Sequence, residues 1–123
     1  GDPAEWLGGS SPWLSGCTVP CTEATATELG AQHSITTVSG NSCLKVTNYP
    51  GSWVGAVVLQ TQGNGNGYPV PFTWSNCSNT GTGTLAGDWS QSSLRPAKNT
   101  CTTLIELKGS SSTSVKLTWW ANG

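Results

Sequence analysis

The chain has 123 residues, a formal net charge of -1 and only 9% charged side chains. That length fits one domain and leaves no room for a second sizeable core. Five Lys+Arg against six Asp+Glu make no basic face for a nucleic acid, no apolar run reaches the roughly 20 residues of a membrane span, and neither a collagen triplet nor a heptad repeat is present.

Gly, Ser, Thr and Asn supply nearly half of the residues, Met is absent, and there are seven Trp. A disordered chain of small polar residues rarely carries so many indoles together with Val/Ile/Leu clusters. The profile predicts a secreted all-β domain with a neutral, hydroxyl-rich surface. Gly1 in place of Met adds the expectation of a mature or excised piece of a larger secreted protein.

In chain order, residues 1–16, with Trp6, Trp13 and several Gly and Pro, read as an arm or linker packed on a domain at 17–123. Residues 22–30 admit one helical turn capped by Thr22 and stopped by Gly30, or a strand, which Thr25 and Thr27 favour. Strands are predicted at 33–39, at 43–49 with Leu44 and Val46 on one face, and at 53–61, apolar on both faces as in a central strand. Gln62-Gly-Asn-Gly-Asn-Gly67 reads as a turn-rich loop; without a following helix or Lys-Ser/Thr it makes no phosphate cradle. Residues 68–74 alternate Val70, Phe72 and Trp74 with Pro69, Pro71 and Thr73, which predicts an edge or bulged strand. Residues 75–100 read mostly as loop, and 101–108 and 114–120 as the last two strands. The fold class expected is an antiparallel β-sandwich of about seven short strands, stapled by disulfides, with a barrel as the alternative.

Five cysteines, at 17, 21, 43, 77 and 101, suit an oxidising compartment better than zinc, which needs close ligand pairs and more than the single His33. Two bridges leave one thiol over. The preferred pairing is Cys77–Cys101 with Cys17–Cys21, leaving Cys43 as a free, buried thiol; other pairings stay open. Asn76-Cys77-Ser78 matches an N-glycosylation pattern, without meaning in a bacterial protein.

A core of this size uses two or three Trp. Parity turns Trp119 inward with Val115 and Leu117, and Trp74 inward with Phe72 and Val70, while Trp120 points outward beside Lys116 and Thr118. Trp89, in Gly87-Asp88-Trp89-Ser90, has little apolar around it, and Trp53 and Tyr49 flank the turn at Pro50-Gly51. Each could fill core or brace a loop; seven together predict a strip of exposed rings. An indole matches the apolar face of a pyranose, and neutral amides such as Gln60, Gln62, Asn64, Asn66 and Gln91, with Asp88, can bond sugar hydroxyls. His33 reads as a surface or satisfied side chain. A glycosidase needs two carboxylates about 5–10 Å apart, and Asp88 is the one acid in a plausible binding loop, so no catalytic residue and no metal is expected. No cofactor is required; a structural calcium on Asp88 and carbonyls is the one ion left open.

Trp53-Val-Gly-Ala-Val-Val-Leu-Gln60, Gly87-Asp-Trp89-Ser-Gln91 and Lys116-Leu-Thr-Trp-Trp120, on a Gly/Ser/Thr/Asn background, resemble the carbohydrate-binding modules of secreted bacterial plant-wall enzymes, closest to the family 81 modules of soil-bacterial endoglucanases. The resemblance implies a non-catalytic, monomeric β-sandwich that holds an attached glycoside hydrolase on cellulose, xyloglucan or mixed β-glucans outside the cell. It also implies a flat aromatic face, for which Trp53, Trp89 and Trp120 are the first candidates and Trp74 and Tyr49 the next. The rival expectations are a secreted adhesion or protein-binding sandwich and a small hydrolase.

Overall fold

The computed structural model describes residues 20–47, 58–94 and 101–122. The expected arm at 1–16, Cys17, Tyr49 and Trp53 lie outside the described residues.

Nine strands are present among the described residues: β1 (Thr27–Glu28), β2 (Thr36–Ser39), β3 (Cys43–Val46), β4 (Val58–Gln62), β5 (Val70–Asn76), β6 (Asn79–Leu85), β7 (Gln91–Leu94), β8 (Thr103–Leu107) and β9 (Ser114–Asn122). They form a five-stranded sheet in the order β1-β3-β8-β5-β6 and a four-stranded sheet in the order β2-β9-β4-β7. All pairings are antiparallel except β1 with β3. The protein is an all-β, disulfide-stapled sandwich, as the alternating sequence predicts, with nine strands where about seven were expected.

The core follows the period of two. Leu44, Val46, Ile105, Leu107, Val70, Phe72 and Leu85 project from the five-stranded sheet, and Val115, Leu117, Trp119 and Leu94 from the four-stranded one. Full burial of each such side chain contributes about 1.5–3 kcal/mol. Among the described strands only β5 and β6 form a hairpin, and every other consecutive pair lies in different sheets.

β6, like β7, lies in the stretch expected to be loop. Its sequence, Asn79-Thr-Gly-Thr-Gly-Thr-Leu85, carries no apolar alternation because the inward positions are Gly81 and Gly83. The missing side chains are supplied by the partner strand. A Cβ on Gly81 would stand 2.5 Å from the Trp74 indole, and one on Gly83 2.6 Å from the Phe72 ring. Each ring thus lies flush on the backbone of β6 and covers a glycine that a strand otherwise tolerates poorly.

β5 is an inner strand, not the edge or bulged strand that its prolines suggested. The carbonyl of Pro71 accepts from the Lys108 N–H (2.7 Å), so its nitrogen faces the same flank, where β8 has ended at Leu107. The lost donor falls beyond the ladder and costs it nothing. The β5–β6 turn places Cys77 at φ +52°. Asn76, before it, is buried and donates from Nδ2 to Thr103 Oγ1 (2.9 Å) and the Cys101 carbonyl (3.4 Å), so its amide is unavailable as a glycosylation acceptor.

The bridges are Cys77–Cys101 and Cys21–Cys43, with Cα–Cα distances of 5.8 and 5.4 Å. The first is the pairing expected. The second replaces Cys17–Cys21, and Cys43 is not a free thiol. Leu44 and Val46 point inward, so parity turns Cys43 outward, where the parallel β1–β3 pairing lays the preceding segment alongside it. Lys45 Nζ donates to the Glu23 carbonyl (2.9 Å), and Glu28 accepts from Thr47, which hold that segment down.

Two stability measurements test this packing. Gly81→Val and Gly83→Val each lose about 1–3 kcal/mol in urea unfolding, whereas Thr82→Val, on the solvent face between them, stays within about 0.5 kcal/mol. Cys21→Ser loses about 2–4 kcal/mol, and non-reducing peptide mapping recovers residues 21 and 43 in one cross-linked fragment.

Candidate carbohydrate-binding groove

The outer face of the four-stranded sheet carries a groove of about 340 Å³, lined by His33, Ile35, Gln62, Trp89, Thr118 and Trp120. β9 supplies Thr118 and Trp120 because Val115, Leu117 and Trp119 take the inward positions of the same strand. Gln62 of β4 is the cross-strand partner of Thr118. It is also paired with Gln91 of β7, so a polar row crosses three strands.

The segment before β2 closes one side. His33 N–H donates to the Trp119 carbonyl (2.9 Å), Thr118 Oγ1 to the Ser34 carbonyl (2.7 Å) and Trp119 Nε1 to the Gly30 carbonyl (2.7 Å). These bonds fasten residues 30–34 to β9. They hold His33 at φ +69°, a conformation rare for a non-glycine residue. Its ring stacks on Trp120 with centroids 5.8 Å apart and planes 14° from parallel. Ile35 stands beside it, 65% exposed.

Trp89 enters from the other side, held by two glycine-rich loops. Gly63 N–H donates to the Ser90 carbonyl (2.8 Å), Asn64 N–H to that of Ala86 (2.9 Å) and Gly67 N–H to that of Gly87 (2.8 Å). Asn64 is fully buried; its Nδ2 donates to the Tyr68 carbonyl (2.8 Å) and its Oδ1 accepts from the Asn66 N–H (3.0 Å). Asn66 accepts from the Tyr68 N–H (2.8 Å) and donates to the Ser114 carbonyl (2.9 Å), tying the loop to β9. The Trp89 indole lies on Gly65, whose φ is +70° and whose added Cβ would meet the ring at 2.6 Å. Trp89 remains 38% exposed.

Beyond Trp89 a second depression, of about 670 Å³, is lined by Gly67, Pro69, Thr84, Ala86, Gly87, Asp88, Gln91 and Ser92. Hydrogen bonds from the Ser90 side chain, and then from its backbone N–H, hold the exposed Asp88 carboxyl below the usual aspartate range, against a small opposing effect of desolvation. It is therefore an acceptor-only carboxylate at neutral pH. Among the described residues, no carboxylate, Lys or Arg lines the first groove. Among the described residues no cluster of three His, Cys, Asp or Glu could hold a metal ion.

Of the positions expected from sequence, Trp89 and Trp120 share one groove, and Asp88 and Gln91 line the adjoining depression. Trp74 does not join them; it packs against the core from the five-stranded sheet, over Gly81. Tyr49 and Trp53 lie outside the described residues. His33, read from the sequence as a surface or satisfied side chain, lines the groove as well, together with Ile35 and Thr118, which were not singled out as site residues. Only Thr118 left a signal in the sequence, as the outward neighbour of Trp120 by parity.

The Gly65 contact is directly testable. Gly65→Ala should cost about 1 kcal/mol for the left-handed backbone and displace the Trp89 indole N–H resonance in a ¹H–¹⁵N spectrum. The fold and the Trp119 signal should be retained.

In comparisons with known proteins, no family model, no curated protein and no solved structure matches this chain.

Proposed function

We propose that the protein is a non-catalytic carbohydrate-binding module that takes cellulose and related β-glucans in the Trp89–Trp120 groove. The observation that carries the reading is that two indoles, one of them exposed, line the same groove as the amide of Gln62 and the hydroxyl of Thr118, with no carboxylate, Lys or Arg among the described lining residues. Rings give a pyranose an apolar face to rest on, and the amide and hydroxyl bond its equatorial hydroxyls. An uncharged polysaccharide has no Coulomb partner to seek, in keeping with the few charges of the chain.

Among the described residues Asp88 is the one carboxylate lining either depression, which supports binding rather than hydrolysis, since glycosidases act with two. Two disulfides suit an extracellular setting, where such a module would hold an attached hydrolase on plant cell wall. Ile35, bare at the groove, is the feature an adhesion or protein-binding domain would use instead.

Pull-down on insoluble cellulose and fluorescence titration with soluble cello-oligosaccharides test the proposal. Trp89→Ala and Trp120→Ala should each weaken binding about five- to tenfold, at about 1 kcal/mol or slightly more per stacked ring. Raising NaCl to about 1 M should leave the affinity unchanged. Retention that survives both substitutions, or that salt abolishes, would refute the reading; so would loss of binding only on Ile35→Ser.

A further inference from the structure

We infer that the ligand track does not end at Trp89 but continues over it into the Asp88–Gln91 depression, with Tyr68 as a further aromatic platform, so that the module selects a single extended glucan chain rather than a short sugar. This deepens the preceding proposal and rests on it.

Two observations set the depressions side by side, and a third puts an exposed ring at the far one. First, Gln62, which lines the groove, and Gln91, which lines the depression, are direct cross-strand partners on β4 and β7. Second, Asp88 and Trp89 are consecutive residues, one lining each hollow, so the two hollows meet along this loop. Third, Tyr68 lies between Gly67 and Pro69, both lining residues of the depression, and is 68% exposed. Its backbone is held on both sides: its N–H donates to Asn66 Oδ1 and its carbonyl accepts from Asn64 Nδ2. A ring held in solvent on a fixed loop is preorganised to stack on a sugar at little entropic cost.

The dimensions decide the ligand class. The row Thr118–Gln62–Gln91 crosses two inter-strand gaps, roughly 10 Å in all, before the depression proper continues to Thr84 and Gly67. One disaccharide already spans that row, so filling both hollows takes a longer chain, running across the strands. The polar complement changes along the way. The groove offers neutral donors and acceptors; the depression offers the exposed Asp88 carboxylate, which accepts from the Ser90 N–H at Oδ1 (2.9 Å) and from the Ser90 hydroxyl and still has lone pairs for sugar hydroxyls.

Calorimetric titration with cellobiose, cellotetraose and cellohexaose tests this. For the unaltered protein the affinity should climb by about tenfold or more from cellobiose to cellohexaose, as a second ring and the carboxylate are engaged. Tyr68→Ala and Asp88→Asn should each lower cellohexaose affinity about fivefold and shrink the hexaose-to-biose ratio. Tyr68 is exposed, so its substitution spares the fold even if the Asp88 turn proves sensitive. Equal affinity for all three sugars, or an undiminished ratio in Tyr68→Ala, would overturn the extended track while leaving glucan binding at Trp89 and Trp120 standing. No heat with any sugar and no retention on cellulose would remove both proposals together.

Discussion

The strict alternation of β9 is the constraint on which the rest depends. Trp119 and Trp120 are neighbours in the chain and face opposite ways. The first closes the core and anchors its Nε1 on the Gly30 carbonyl; the second faces the groove. Because Trp119 and Thr118 also fasten residues 30–34, the same strand sets where His33 meets Trp120. A slip of one residue in its register would exchange the two indoles and remove core and groove together. The core and the groove are therefore built on the two faces of a single strand.

The abundance of glycine is the counterpart of the abundance of tryptophan. Large flat rings need flat backbone to lie on, and glycine is the residue that leaves it bare. Gly81 and Gly83 receive Trp74 and Phe72 on the core side, and Gly65 receives Trp89 at the groove. The cost in strand propensity and backbone entropy, about 0.5–1 kcal/mol per glycine, is offset by the aromatic area that each one allows to be covered. The Gly-Asn loop, which in isolation suggests only a turn, is a buttress whose buried Asn64 replaces a hydrophobic filling with hydrogen bonds.

The chain passes from one sheet to the other at almost every strand. Neither sheet is a local unit, and most contacts join residues distant in sequence, a topology that folds slowly and pays loop-closure entropy before burial repays it. Two disulfides with sequence separations of 22 and 24 lower that entropic cost.

Residue order alone determined whatever depends on the period of two: the all-β class, the inward face of Val115, Leu117 and Trp119, the outward turn of Trp120, and an excess of indoles over core need. It did not reveal β6, because glycines carry no hydrophobic signal and the rings covering them belong to another strand. Nor did it separate Trp74 from the other candidate rings by more than parity. The Cys21–Cys43 bridge, the stacking of His33 on Trp120 and the seating of Trp89 on Gly65 were decided only by tertiary structure. Each joins segments whose proximity comes from sheet order and strand register, which are settled by how all nine strands share one core and not by any local pattern.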